Sequence, residues 1–165
     1  MKRILYIITA VILIGACKKT ENQIDDSVPL IDRVPGKWDI TAVEYTGFLP
    51  VGGGWVPISG EGENVEGEFM FTTVPNVGTF NIKFLAKINA GVGPVLTVDA
   101  DESHTGEWEP IQNDRFIKMW RNDTTYNWEV LNNTNSKQVW KTAFVFDFGA
   151  PYDSIPVDVR ATIER

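Results

Sequence analysis

Between residues 78 and 89 the apolar side chains fall on every second position. Phe80, Ile82, Phe84, Ala86 and Ile88 alternate with Asn81, Lys83, Leu85 and Lys87. A period of two belongs to extended chain with one buried face, because successive side chains of a strand point to opposite sides. The pattern recurs along most of the sequence. Strands are expected over about 37–46 (Trp38, Ile40 and Ala42 against Asp39, Thr41 and Val43), 63–73 (Val65, Gly67, Phe69 and Phe71), 78–89, 95–102, 104–111 around Trp108, and 115–121 with Trp120. Three more are expected over 124–131 (Tyr126, Trp128, Val130), 137–148 (Trp140, Phe144, Phe146, Phe148) and 157–164 (Val157, Val159, Ala161, Ile163). Turn-forming clusters such as Asn113-Asp114, Asn122-Asp123 and Asn132–Asn135 separate them. No convincing amphipathic helix interrupts the series. The expected fold is therefore all-β, a single up-and-down antiparallel β-barrel of eight or nine strands. Closure removes the exposed edges of such a meander, and eight strands leave room for filling side chains or one small ligand.

The long segment at 47–60 (GFLPVGGGWVPISG) has five glycines and two prolines and is expected as a loop. It also holds Phe48, Leu49, Trp55 and Ile58, an apolar content that sets it apart from a disordered linker. Upstream, Met1-Lys2-Arg3 and the apolar run Ile4–Ile14 form a charged region followed by a core too short to span a membrane, the pattern of a signal peptide. Residues 18–33 are polar with no sustained period, as suits a tether. The division expected is a signal peptide over 1–16, a tether over 17–33 and a folded domain over 34–165.

Ile14-Gly15-Ala16-Cys17 resembles the lipobox of bacterial lipoproteins. The resemblance implies cleavage before Cys17, a diacylglycerol on its sulfur and, in many bacteria, an acyl chain such as palmitate on its amine. Several chains anchor a protein stably, at about 0.8 kcal/mol per buried methylene. A plain secretory signal with a chance cysteine is the other reading. Lys18 and Lys19 replace the aspartate that retains enteric lipoproteins in the inner membrane, which resembles the outer-membrane default. The membrane face stays open, since Glu21, Asp25 and Asp26 are scattered. Gly36-Lys37-Trp38, the 47–60 segment and the strand count are together similar to the lipocalins, and more narrowly to lipocalin-like lipoproteins of Bacteroidetes-type bacteria. There a G-x-W motif opens the first strand and its tryptophan closes the barrel floor, while the following loop covers the mouth. The resemblance assigns Gly36 and Trp38 to the floor, and Phe48, Leu49, Trp55 and Ile58 to the mouth. It also implies a basic residue packed on Trp38, for which Arg160 and Lys141 are both candidates. Asp123-Thr124-Thr125-Tyr126 loosely resembles the T-D-Y element of that family.

The chain carries a net charge of −7, and removing Lys2 and Arg3 with the signal makes the rest more acidic. That balance disfavours nucleic acid and direct docking on an anionic surface. Cys17 is the sole cysteine, so the domain has no disulfide and its stability rests on a core for which six Trp, nine Phe and four Tyr are available. His104 is the sole histidine, which excludes a multi-histidine metal site and any triad needing a second one. Asp99 and Asp101 share a strand face and could hold a calcium ion or simply be solvated. Glu107 and Glu109 flank Trp108 on the opposite face as solubilising charges. Trp108, Trp120, Trp128 and Trp140 are expected in the core or between strands. Trp55 either plugs the mouth or leans on a ligand, and Lys118 faces a ligand or solvent according to register. The function expected is non-catalytic binding of a small apolar or amphipathic ligand by a membrane-anchored envelope protein, with no cofactor and no metal. The alternative is a filled barrel that presents a surface to a protein or glycan partner.

Overall fold

The computed structural model describes residues 27–89, 91, 95–147 and 154–165. Cys17, the signal segment, most of the tether and Phe148 lie outside the described residues. One helical turn, α1 (Leu30–Arg33), precedes nine strands: β1 (Gly36–Val51), β2 (Gly54–Glu61), β3 (Glu63–Phe71), β4 (Val77–Ile88), β5 (Leu96–Ile111), β6 (Phe116–Arg121), β7 (Thr124–Asn133), β8 (Lys137–Asp147) and β9 (Ser154–Glu164). All pairings are antiparallel in one sheet of order β2-β1-β3-β4-β5-β6-β7-β8-β9, and β9 pairs back onto β1. The sheet thus returns on itself as a ring.

The expected strand count is reached by a different division of the chain. Residues 47–60 are not a loop. β1 runs on to Val51 and returns as β2, with Phe48 opposite Pro57 and Glu44 opposite Glu61. The two residues between them, Gly52 and Gly53, have φ of +58° and +83°, the left-handed pair that a tight hairpin of this hand requires. The prolines do not break the ladder. Pro50 lies beyond the reach of β9, and Pro57 sits on a strand paired only with β1. Conversely, 95–102 and 104–111 fall in one strand, β5, which pairs with β4 without a break from Ile88↔Leu96 to Val77↔Glu107.

Within β1 the pairing to β9 shifts between Ile40 and Ala42. An extra residue at a bulge inverts the alternation beyond it. Val43 and Tyr45 therefore turn inward, while Ala42, expected inside, is exposed. Elsewhere the inward rows fall as the period of two predicts. Phe80–Ile88 of β4, Trp128 and Val130 of β7, Trp140, Phe144 and Phe146 of β8, and Val157–Ile163 of β9 are buried on alternate positions.

The interior is built of aromatic rings in edge contact. Phe69 meets Trp140 and Trp128 edge-on at 4.9 and 5.0 Å between centroids, and Phe80 meets Tyr126 at 5.0 Å. Phe71 and Trp108 continue the stack towards one end at 5.1 Å. Tyr45, Phe84 and Phe146 extend it towards the other.

The end near Trp38 is closed from below by α1. Residues 30–33, expected in the tether, belong to the folded body: Leu30, Arg33 and Val34 are buried. Arg33 donates to the Asn133 carbonyl at 2.6 Å, and Trp38 Nε1 donates to the Val34 carbonyl at 2.8 Å. The Leu30 N–H is met by Asp114 at 2.9 Å. Asp114 ends three consecutive residues, Gln112 to Asp114, with φ of 54°, 55° and 62°. Asn and Asp tolerate that conformation better than most residues.

Candidate functional site

The two residues assigned to the floor lie at the start of the first strand. Gly36 opens β1 and Trp38 is fully buried. The basic residue on Trp38 is neither Arg160 nor Lys141. Both lie on the outer face, and Arg165 takes the position, its guanidinium carbon 4.2 Å from the ring centroid. Arg165 also donates to the carbonyls of Asn135, Pro35 and Arg33 at 2.8, 3.1 and 3.2 Å. A residue at the far end of the chain could not be paired with Trp38 by local spacing.

The four residues assigned to the mouth divide between two faces. Leu49 and Ile58 are buried on the inner face, whereas Phe48 and Trp55 are 59% and 68% exposed on the outer one. The reason is the hairpin: in a strand Phe48 and Leu49 must point oppositely. Phe48, Trp55, Pro57 and Pro156 border an open groove of about 870 Å³ on the outside of the sheet, where β2, β1 and β9 lie side by side. Gly47 and Ile58, paired between these outer residues, also border it, the Ile58 side chain pointing inward. Thr46, Ser59 and Asp158 form its polar margin.

A second groove of about 260 Å³ continues from that margin, sharing Thr46 and Asp158 and adding Glu44, Arg160 and Lys141. Its charges are paired: Lys141 with Asp158 at 2.8 Å and Arg160 with Glu44 at 3.4 Å. Register brings these together, because Glu44 stands opposite Arg160 across β1–β9, and Arg160 opposite Lys141 across β9–β8. Local order along the chain does not bring this strip together. The alternation of Asp158 and Arg160 with buried valines was its one visible trace.

The other sequence candidates fall as follows. Asp99 and Asp101 share the outer face of β5, and Asp101 pairs with Lys83 at 3.4 Å. Among the described residues no three His, Cys, Asp or Glu converge as a metal site would need. Lys118 faces outward, 4.6 Å from the Trp120 ring centre and 3.6 Å from Glu109. Trp120, expected in the core or between strands, is therefore a half-exposed outer residue, while Trp108, Trp128 and Trp140 are in the core.

A cluster that the sequence did not reveal lies on the inner face. β6 is short, so that β5 pairs with β6 only from Glu107 onward, and β7 pairs with β8 only from Glu129 onward. Beside this stretch Glu102 and His104 of β5 meet Tyr126 of β7. The Tyr126 hydroxyl hydrogen-bonds the Glu102 carboxyl, and the rings of His104 and Tyr126 are 5.0 Å apart. Burial raises the Glu102 pKa, opposed by the Tyr126 bond, and raises that of Tyr126. Burial, aided by the Arg121 charge, lowers that of His104, whose Nε2 is buried with no hydrogen-bond partner. Such a group holds or releases protons with pH.

Compared with known proteins, the chain matches no family model, no curated protein and no solved structure.

Proposed function

We propose that this chain is a non-catalytic binding protein of the bacterial envelope, anchored through lipid on Cys17, with a filled lipocalin-like barrel that presents its outer face to a partner. One observation carries the choice of outer face over interior. Trp38, Phe69, Phe84 and Phe144 are buried at successive levels along the inside of the ring, whereas Trp55 and Phe48 stand exposed over the groove of about 870 Å³. Binding of a small apolar or amphipathic ligand in the barrel mouth, the first expectation from the sequence, is the reading set against this one. The lipocalin-like reading is supported by the ring of strands and by Gly36 and Trp38 at the start of β1 with Arg165 stacked on the indole. The hairpin at 47–60 departs from the lid expected of it. The lipoprotein reading rests on the lipobox-like Ile14–Cys17 and the charged and apolar segments before it.

The test uses the full chain in lipid nanodiscs, labelled with 5-fluorotryptophan, and titrates hexanol as a small apolar probe. The ¹⁹F resonance of Trp55, assigned with Trp55→Phe, is expected to move, while those of Trp128 and Trp140 stay fixed. Movement of the buried resonances with Trp55 unchanged would place binding in the interior and overturn the outer-face reading.

A further inference from the structure

The groove beside Trp55 and the charged strip beyond it form one surface, and its chemistry singles out a class of partner. From these residues we infer that the outer face of β2, β1, β9 and β8 binds a neutral glycan chain; the inference rests on the outer-face reading above.

Three features of the surface support the assignment. The first is the sequence of side chains along it. Trp55, Pro57, Phe48 and Pro156 form an apolar row. Thr46, Ser59 and Asp158 follow, then Glu44, Arg160 and Lys141. From Pro50, opposite Trp55, back to Glu44 the strand covers about 20 Å at roughly 3.3 Å per residue, room for several sugar rings in line. A pyranose has an apolar face of C–H groups and an equatorial rim of hydroxyls. An exposed indole matches the face, and carboxylate acceptors beside ammonium and guanidinium donors match the rim.

The second feature is charge. Glu44 and Asp158 are matched by Arg160 and Lys141 within 3.4 Å, so the strip is polar but balanced. A balanced strip gives no electrostatic preference for an anionic membrane or a polyanion, which would call for one dominant sign. A protein interface of ordinary size buries about 800 Å² a side and is depleted of charge at its centre. Here Asp158 borders the aromatic groove itself, and Glu44, Arg160 and Lys141 follow just beyond Thr46.

The third feature is position. The described chain enters at α1, beneath Trp38. Phe48 lies ten residues further along β1, about 33 Å away along an extended strand. Trp55 and Phe48 therefore lie towards the end of β1 opposite the point where the described chain enters, beside an open face along which an extended partner can lie.

The experiment is calorimetric titration of the full chain in nanodiscs with cellohexaose, maltohexaose, xylohexaose and mannohexaose. Binding of at least one is expected, weakened ~10-fold or more by Trp55→Ala and several-fold by Lys141→Ala. Trp55 and Lys141 are exposed and half-buried outer residues, and near-ultraviolet circular dichroism verifies that both variants keep the native aromatic packing. Absence of binding by all four saccharides overturns the glycan assignment, as does binding that Trp55→Ala leaves unchanged. If hexanol still moves the Trp55 resonance when no saccharide binds, the outer-face reading stands and only the glycan class fails. A photo-cross-linker at Phe48 that captures an envelope protein in cells, together with no saccharide binding, assigns the face to protein and also overturns the proposal.

Discussion

The Arg165 guanidinium lies 4.2 Å from the Trp38 ring centre and donates to three carbonyls from two other parts of the chain. It ties the end of β9 to the start of β1 and to α1. Arg165→Ala is expected to destabilise the fold by about 1–2 kcal/mol, the sum of a cation–π contact and shared hydrogen bonds. Arg165→Lys should recover little of it, since an ammonium cannot span three carbonyls in one plane. An unchanged urea midpoint for Arg165→Ala would refute this role. Truncating the ring beneath it, in Trp38→Ala, is expected to cost about 3–5 kcal/mol.

The Glu102–His104–Tyr126 cluster makes a pH prediction of opposing signs. Glu102 has a raised pKa in the fold, so the native state holds its proton longer than the unfolded chain does. Its stabilising effect is complete below pH 4.5, the ordinary value, and is lost as pH rises through the raised one. His104 has a lowered pKa, so the unfolded chain takes up a proton first. Stability is lost as pH falls from 6.5 through the lowered value. Asp101 and Arg121 are the charges that act on the pair, and Tyr126 stays protonated throughout this range. Urea midpoints between pH 4 and 7 are the measurement. Glu102→Gln should leave only stability that rises with pH, and His104→Asn only stability that falls. Parallel curves for both variants would exclude the assignment.

Among the elements, the β1–β2 hairpin positions the candidate site, and Tyr45 fastens it. The Tyr45 hydroxyl donates to the Lys87 carbonyl on β4 at 2.7 Å, and its ring lies directly over Gly60. A methyl group at Gly60 would collide with the phenol. Gly60→Ala is expected to displace Tyr45, lower stability by about 1–3 kcal/mol and raise amide exchange in Trp55–Ser59 above that of β4. Exchange equal to wild type would show that the hairpin does not depend on this contact. The start of α1 is tied to the turn between β5 and β6 by one acceptor, Asp114. Asp114→Ala removes the partner of the Leu30 N–H and an acidic residue suited to a left-handed backbone, for an expected loss of about 1–2 kcal/mol. Chemical denaturation reads it directly.

At the scale of the molecule, Cys17→Ser is expected to move the protein from the membrane to the soluble fraction. Retention in the membrane would remove the anchor from the proposal. Much of the body was legible in local pattern. The inward rows of β4, β7, β8 and β9 and the burial of Trp38 in β1 follow from alternation, because burial of a strand face repeats every second residue. The candidate site was legible only as an apolar segment. Phe48 and Trp55 were visible there, but not that Leu49 and Ile58 face the other way, since glycine and proline content spoke for a loop. Which residue stacks on Trp38, whether Ala42 or Val43 points inward, and what lies beside Trp55 were decided by tertiary structure. Each depends on strand pairing between residues more than a hundred positions apart, and on one bulge in β1 that inverts the faces beyond it. Local order along the chain is enough to say which strand faces are apolar. Only the closing of β9 onto β1 determined which side chains those faces meet, because that contact exists in space and nowhere in the local order of residues.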